Sequence, residues 1–327
     1  MPSSSLDSSD WNLIVDCIRD GQCVPFLGAA VNVDSDDGAY KGLPLGGQVS
    51  FRLLEKLLRL KGIDLSQLIR VETYETIDNS ERYKDLRRLG LENLARVSLQ
   101  VEHQEDYKHL IQYLRQILPD QERDPSPLLR TLARLPAPTA TTDPPFQLIV
   151  TTNYDCLMEK ALAEAGIKPK VVVQPKKGFS PAKQEELQND LAVYSGVVLY
   201  KIHGTLLEDD KKKNPDIIIT EEDYIEFLHT VVNSKGGIPG LIRGKLVGST
   251  LLFLGYSLED WDFRILFKGM IESLDDREQV KSYAIQRNPS PFWMDFWTKK
   301  KVLIRDVDLY EFGAKLRHQL GISLPQL

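Results

Sequence analysis

The sequence predicts an α/β protein: a Rossmann-like parallel sheet flanked by helices, with an inserted all-helical subdomain. Three observations carry this expectation. Short, uninterrupted apolar runs recur along the chain, the mark of strands buried on both faces. Segments of helical periodicity separate most of them. Between the first apolar run and the second lies a long stretch with helical spacing only.

Residues 1–10 read as a loose Ser/Asp-rich lead-in, and Ser9 is placed to cap a helix in which Leu13, Ile14, Cys17 and Ile18 recur at helical spacing. Cys23-Val24-Pro25-Phe26-Leu27 is the first strand, and Gly28-Ala29-Ala30 the tight turn after it. Asp and Gly mark 33–47 as loop. Phe51, Leu54, Leu57 and Leu58 predict a helix that stops at Gly62. Segments 65–74, 82–97, 107–118 and 128–135 repeat apolar residues every three or four positions, with no strand among them. Prolines 136, 138, 144 and 145 mark a linker. Solid apolar strands follow at 146–150, 171–173, 197–202, 250–254, 282–285 and 302–304, and the strand at 23–27 joins their sheet. The expected organisation is 1–62 as the first part of the Rossmann-like domain, 63–140 as helical insertion and 141–327 as the remainder.

Composition narrows the function. The chain has 327 residues, 42% hydrophobic and 27% charged, which suits one large domain or two close-packed ones and excludes a disordered, collagen-like or coiled-coil chain. A net charge of −6 lacks the basic excess of a duplex binder, so no direct nucleic-acid partner is expected. No run approaches the roughly 18 apolar residues of a membrane span, and the N-terminus has no secretory pattern. Cys17, Cys23 and Cys156 form neither a disulfide framework nor a zinc motif, and the five histidines include no HExxH. A cytoplasmic, metal-free protein is expected.

Ligands of open α/β sheets bind beyond the carboxyl ends of the strands. Four strands here end in small or polar residues: Gly28-Ala29-Ala30-Val31-Asn32, Thr151-Thr152-Asn153-Tyr154-Asp155, His203-Gly204-Thr205 and Gly255-Tyr256-Ser257-Leu258. Each has a plain alternative. The first is a tight turn that lacks the GxGxxG pattern. Asn153 and Asp155 are common helix caps. A single histidine is commonly a structural residue. Gly255-Tyr256-Ser257 is not a hydrolase elbow, because Glu259 stands where that motif needs glycine. Core strands need no such ends, so four together favour a nucleotide cleft. Cys156 reads as core filler, Lys211–Lys213 as solvated loop, Glu259, Asp260 and Asp262 as a helix start, and Trp293, Phe296 and Trp297 as core packing or an interface anchor.

These segments resemble the sirtuins. Phe26 to Asn32 resembles the glycine-alanine-glycine loop, Thr151 to Asp155 the Thr-Gln-Asn-Ile-Asp segment, Lys201-Ile202-His203-Gly204 the His-Gly motif, and Gly255 to Leu258 the Gly-Thr-Ser-Leu motif, in the family's order. The resemblance implies that Gly28, Ala29 and Ala30 line a pyrophosphate, with Asn32 in the same loop. It implies that Thr152, Asn153 and Asp155 face the nicotinamide and its ribose, that His203 acts at the ribose, and that Gly255 and Ser257 hold the adenosine half. Asn153 and His203 are then the catalytic pair. Ala30 replaces the loop's second glycine, and the Pro-Asp-Phe-Arg stretch is missing. With no cysteine between Cys23 and Cys156 or beyond it, the family's four-cysteine zinc module is absent. That pattern resembles bacterial antiphage-defence effectors that are sirtuin-like NAD hydrolases. It implies NAD as substrate, no metal, a homo-oligomer, and a sensor or ATPase partner. The alternatives are an NAD-dependent protein deacylase, or a non-catalytic module that senses NAD or ADP-ribose.

Overall fold

Cys23–Leu27 forms a strand (β1) buried at every residue, as a strand covered on both faces requires. The same holds for Gln147–Thr151 (β2), Val197–Lys201 (β4) and Thr250–Leu254 (β5). Lys170–Val173 (β3), Ser282–Gln286 (β6) and Val302–Asp306 (β7) complete a seven-stranded, all-parallel sheet in the order β3-β4-β2-β1-β5-β6-β7. This is a computed structural model, and it describes residues 6–36, 38–60, 93–135, 146–207, 215–232, 237–258, 263, 264, 267 and 280–324. The predicted helix at 65–74, the linker at 136–145, Lys211–Lys213, and Glu259, Asp260 and Asp262 lie outside these residues.

Among the described residues eleven helices flank the sheet. They are Ser8–Arg19 (α1), Gly46–Leu60 (α2), Leu94–Gln104 (α3), Tyr107–Ile117 (α4), Pro127–Leu132 (α5), Leu157–Glu164 (α6), Pro181–Ala192 (α7), Glu221–Val232 (α8), Gly240–Gly248 (α9), Pro291–Thr298 (α10) and Leu309–Leu320 (α11). Among the boundaries that differ from expectation are two helix starts. Asp7, not Ser9, caps α1, its carboxylate accepting the Asp10 amide at 2.8 Å. Of the helix expected at 82–97, residues 82–92 lie outside the described residues; at its visible start Asn93 takes an extended backbone and caps α3 from outside.

Alternate residues of each strand feed opposite cores. Val24, Phe26, Leu148, Val150, Val198 and Tyr200 pack against α7 to α10. Leu27, Ile149, Leu199, Leu252 and Leu254 pack against α1, α5, α6 and α11. Each such side chain, once buried, contributes about 1.5–3 kcal/mol. A third core forms away from the sheet. There α2, α3 and α4 pack their apolar faces together around Leu53, Val101 and Leu114, with Leu206, Ile217 and Ile219 from the segment after β4.

The strand order positions the site. From β1 the chain adds β2 beside it, then the edge strand β3, then β4 between those two, and returns to the other side of β1 for β5, β6 and β7. The reversal falls between β1 and β5, and a crevice opens at such a switch point beyond the strands' carboxyl ends.

Candidate active site

At that switch point two glycines meet back to back. The Gly28 amide donates to the Leu254 carbonyl at 2.8 Å, and the Ala30 amide to the Gly255 carbonyl at 3.1 Å. A Cβ on Gly28 would lie 2.5 Å from the Gly255 oxygen. A Cβ on Gly255, whose φ is +77°, would lie 2.6 Å from the Val31 nitrogen. Neither position admits a side chain without displacing backbone. The turn runs into a short 3-10 helix, Ala29–Asn32, with Ala29 exposed and Ala30 half-buried. Two of the loop's early amides, those of Gly28 and Ala30, are thus spent on the β5 side.

The turn after β2 joins this loop directly. The Asn153 amide is held by Thr151 Oγ1 at 3.0 Å, and Asn153 Nδ2 donates to the Gly28 carbonyl at 3.1 Å. That leaves Asn153 Oδ1 without a hydrogen-bond partner among the described residues. Thr152 Oγ1 pairs with the Tyr256 hydroxyl at 2.8 Å, which also donates to the Leu27 carbonyl at 3.0 Å. Tyr256 thereby bridges the ends of β1, β2 and β5. Its phenol was not legible as a site residue, because the motif that flags its neighbours carries no information at that position. Ser257 is half-buried beside it, and the Leu258 carbonyl accepts the indole N–H of Trp297 at 2.9 Å. Trp297 is therefore core, whereas Phe292 of the same helix is exposed.

Asp155 faces inward. Its Oδ1 accepts the Leu157 amide at 2.9 Å, and its Oδ2 accepts Asn32 Nδ2 at 3.0 Å. Burial raises its pKa to about 6, against the opposing pull of Lys201. Both carboxylate oxygens are engaged within the protein, so Asp155 links the loops after β1 and β2. Asn32 Oδ1 is buried without a hydrogen-bond partner among the described residues. Cys156 is the residue before α6 rather than part of it, and it is buried.

His203 follows β4 and is 5% exposed. Its ring meets Tyr224 and Phe227 edge-on at 5.2 and 6.0 Å between centroids. Burial lowers its pKa to about 3, and Nε2 has no hydrogen-bond partner among the described residues. An ordinary imidazole titrates close to neutral pH and suits proton transfer; the aromatic pocket instead keeps this one neutral. Its backbone is fixed by the Ile218 amide, which donates to the His203 carbonyl at 3.0 Å, and by the Gly204–Ile217 bridge. Register pairs Thr151 with Lys201, so Asn153 and His203 each stand two residues beyond matched positions on adjacent strands.

The expected site residues therefore gather at one edge of the sheet. The loops after β1, β2 and β5 are directly hydrogen-bonded to one another, and the end of β4 joins the turn after β2. Among the described residues no group of three or more His, Cys, Asp or Glu side chains is arranged to hold a metal, and no helix is long and apolar enough to cross a membrane.

This architecture is a Rossmann-like α/β fold, and residues 147–304 match the family model of the SIR2-like domain. Its relatives include proteins named NAD(+) hydrolase ThsA. That of Cytobacillus dafuensis is 30% identical over 125 residues, covering 37% of this chain and 21% of the relative. That of Enterococcus faecium is 31% identical over 116 residues, 36% of this chain and 20% of the relative. That of Bacillus cereus (strain MSX-D12) is 27% identical over 176 residues, 52% of this chain and 33% of the relative. The matched region thus spans a fifth to a third of the length of these relatives.

Proposed function

We propose that the chain hydrolyses NAD+ to nicotinamide and ADP-ribose. The C1′–N bond to nicotinamide breaks, and nicotinamide leaves with the bonding electron pair. Water forms the new C1′–O bond and releases a proton. The observation that carries this reading is Asn153. Its Nδ2 is pinned to the Gly28 carbonyl at the meeting point of two loops, which leaves Oδ1 as a fixed acceptor for the attacking water. His203, neutral in its aromatic pocket, orients a ribose hydroxyl rather than storing a proton. The Gly28–Gly255 contact gives the dinucleotide a close backbone floor, with Ala29, Ala30, Asn32, Thr152 and Ser257 around it. Similarity to proteins named NAD(+) hydrolase supports the reaction class.

Such an activity would deplete cellular NAD. An effector role in bacterial antiphage defence fits it, restrained by homo-oligomeric assembly or by a sensor or ATPase partner. The test is incubation with NAD+ at several protein concentrations, followed by chromatography for nicotinamide and ADP-ribose. Asn153→Ala and His203→Ala should each lose about 10²-fold or more in rate, the cost of a lost positioning contact, while still binding NAD+ by calorimetry. Native turnover in His203→Ala would remove it from the catalytic role. Binding without turnover in the assembled native protein would favour the sensing module.

A further inference from the structure

β4 is apolar until its last residue, Lys201, whose side chain has no solvent exposure. A buried ammonium costs several kcal/mol unless its donors are met. Here Nζ donates to the Asp155 carbonyl and to Glu159 Oε1, the latter at 2.8 Å. An apolar side chain of the same length would fill this volume. It would also strand the Glu159 carboxylate, whose Oε2 is already buried without a hydrogen-bond partner among the described residues.

These bonds form a chain. Lys201 ties the end of β4, two residues before His203, to the turn that carries Asn153 and to α6. Asp155, held there by its carbonyl, reaches through its carboxylate to Asn32 in the loop after β1. One buried cation thus connects three of the four strand ends that form the site. We infer that Lys201 is a positioning residue, which sets the Asn153–Asp155 turn and the Asn32 segment in their working arrangement without itself meeting the dinucleotide. This inference rests on the reading of the site as an NAD-cleaving centre.

The groups that face Asp155 are Lys201 from β4, Glu159 from α6, Asp120 from the 3-10 turn Asp120–Glu122, and Tyr40 from the loop after β1. Burial, Glu159 and Asp120 raise the proton affinity of Asp155, and Lys201 lowers it. Removing the ammonium should raise the Asp155 pKa by about one unit or more. A protonated Asp155 changes its bond to Asn32 and loosens the tie between the loops.

The test is Lys201→Met. At pH 7, kcat for NAD+ cleavage should fall about tenfold or more while KM stays within about threefold, because positioning acts on the reacting geometry rather than on binding. The acid limb of its pH–rate profile should move up by about one unit, with part of the rate regained in alkaline buffer. Glu159→Gln removes a charge of the opposite sign and should move that limb down. It also serves if Lys201→Met does not fold. A readout independent of activity is the Asp155 carboxyl titration, followed by carbon-13 NMR in aspartate-labelled protein and assigned with Asp155→Asn. A native kcat and an unmoved limb in Lys201→Met overturn the inference and leave the NAD-cleaving reading intact. If the native protein never cleaves NAD+, that reading fails, and an Asp155 titration unmoved in both variants overturns the Lys201 inference as well.

Discussion

His203 shows how much a single buried ring decides. Packed edge-on to Tyr224 and Phe227, it is held neutral down to about pH 3, well below an ordinary imidazole. Its folded pKa lies below its unfolded value near 6.5, so it contributes stability above that pH and loses it as pH falls toward 3. Between pH 7 and pH 5 the loss through this group should be about 2 kcal/mol. Asp155 acts in the opposite sense: its raised pKa makes stability increase as pH falls from about 6 toward the unfolded value near 4. Comparing the native protein with His203→Phe separates the two. Urea unfolding at both pH values should show a drop in the native protein that is smaller by about 2 kcal/mol in the variant. Equal drops would mean that the ring titrates normally. Sequence alone identified His203 by its place after a strand. It could not give the pocket, because Tyr224 and Phe227 arrive from α8, about twenty residues later.

Elements were legible where burial is simplest. β1, β2, β4 and β5 are apolar on both faces, so an unbroken run suffices to find them. Lys201 was the one signal among them that went unread: a charge at the last position of such a run must find a buried partner. Helix starts were harder, since Asp7 and Ser9, or Asn93 and its neighbours, compete for the same cap and only backbone geometry decides. A polar residue on a helix can also be core. Asp10 of α1 is 2% exposed and accepts from the Tyr283 hydroxyl at 2.9 Å, Arg305 Nε at 2.8 Å and Lys281 Nζ at 3.3 Å, which ties α1 to β6 and β7. Its hydrogen bonds and the Arg305 charge hold its carboxyl below the usual range despite burial. Asp10→Ala removes the carboxylate that faces the buried Arg305 guanidinium, and should cost about 3–5 kcal/mol. A change under 1 kcal/mol in denaturant unfolding would show the network to be dispensable.

At the scale of the molecule, the order of strands was beyond the sequence, because parallel runs of equal apolarity carry no label for their neighbours. The switch point beside β1 therefore emerged only with the sheet, although the loops that meet there had been singled out one by one. Their meeting depends on the Gly28–Gly255 contact. Gly255→Ala adds a methyl 2.6 Å from the Val31 nitrogen at a φ of +77°, and should cost at least about 1–3 kcal/mol. Calorimetric melting should show it, and NAD+ binding should weaken with it if this contact is the floor of the site. An unchanged melting temperature would mean that the two loops part easily.

The third core has a mechanical consequence. Leu206, Ile217 and Ile219 belong to the strap that carries the chain away from His203, yet they pack among α2, α3 and α4. The strap is zipped to the histidine's own backbone through the Ile218 amide and the Gly204–Ile217 bridge. Well-packed interiors transmit displacement rather than absorb it. The helical layer therefore holds the histidine as a hand holds a lever. A substitution in that core therefore bears on the histidine's backbone at a distance from the crevice and without entering it.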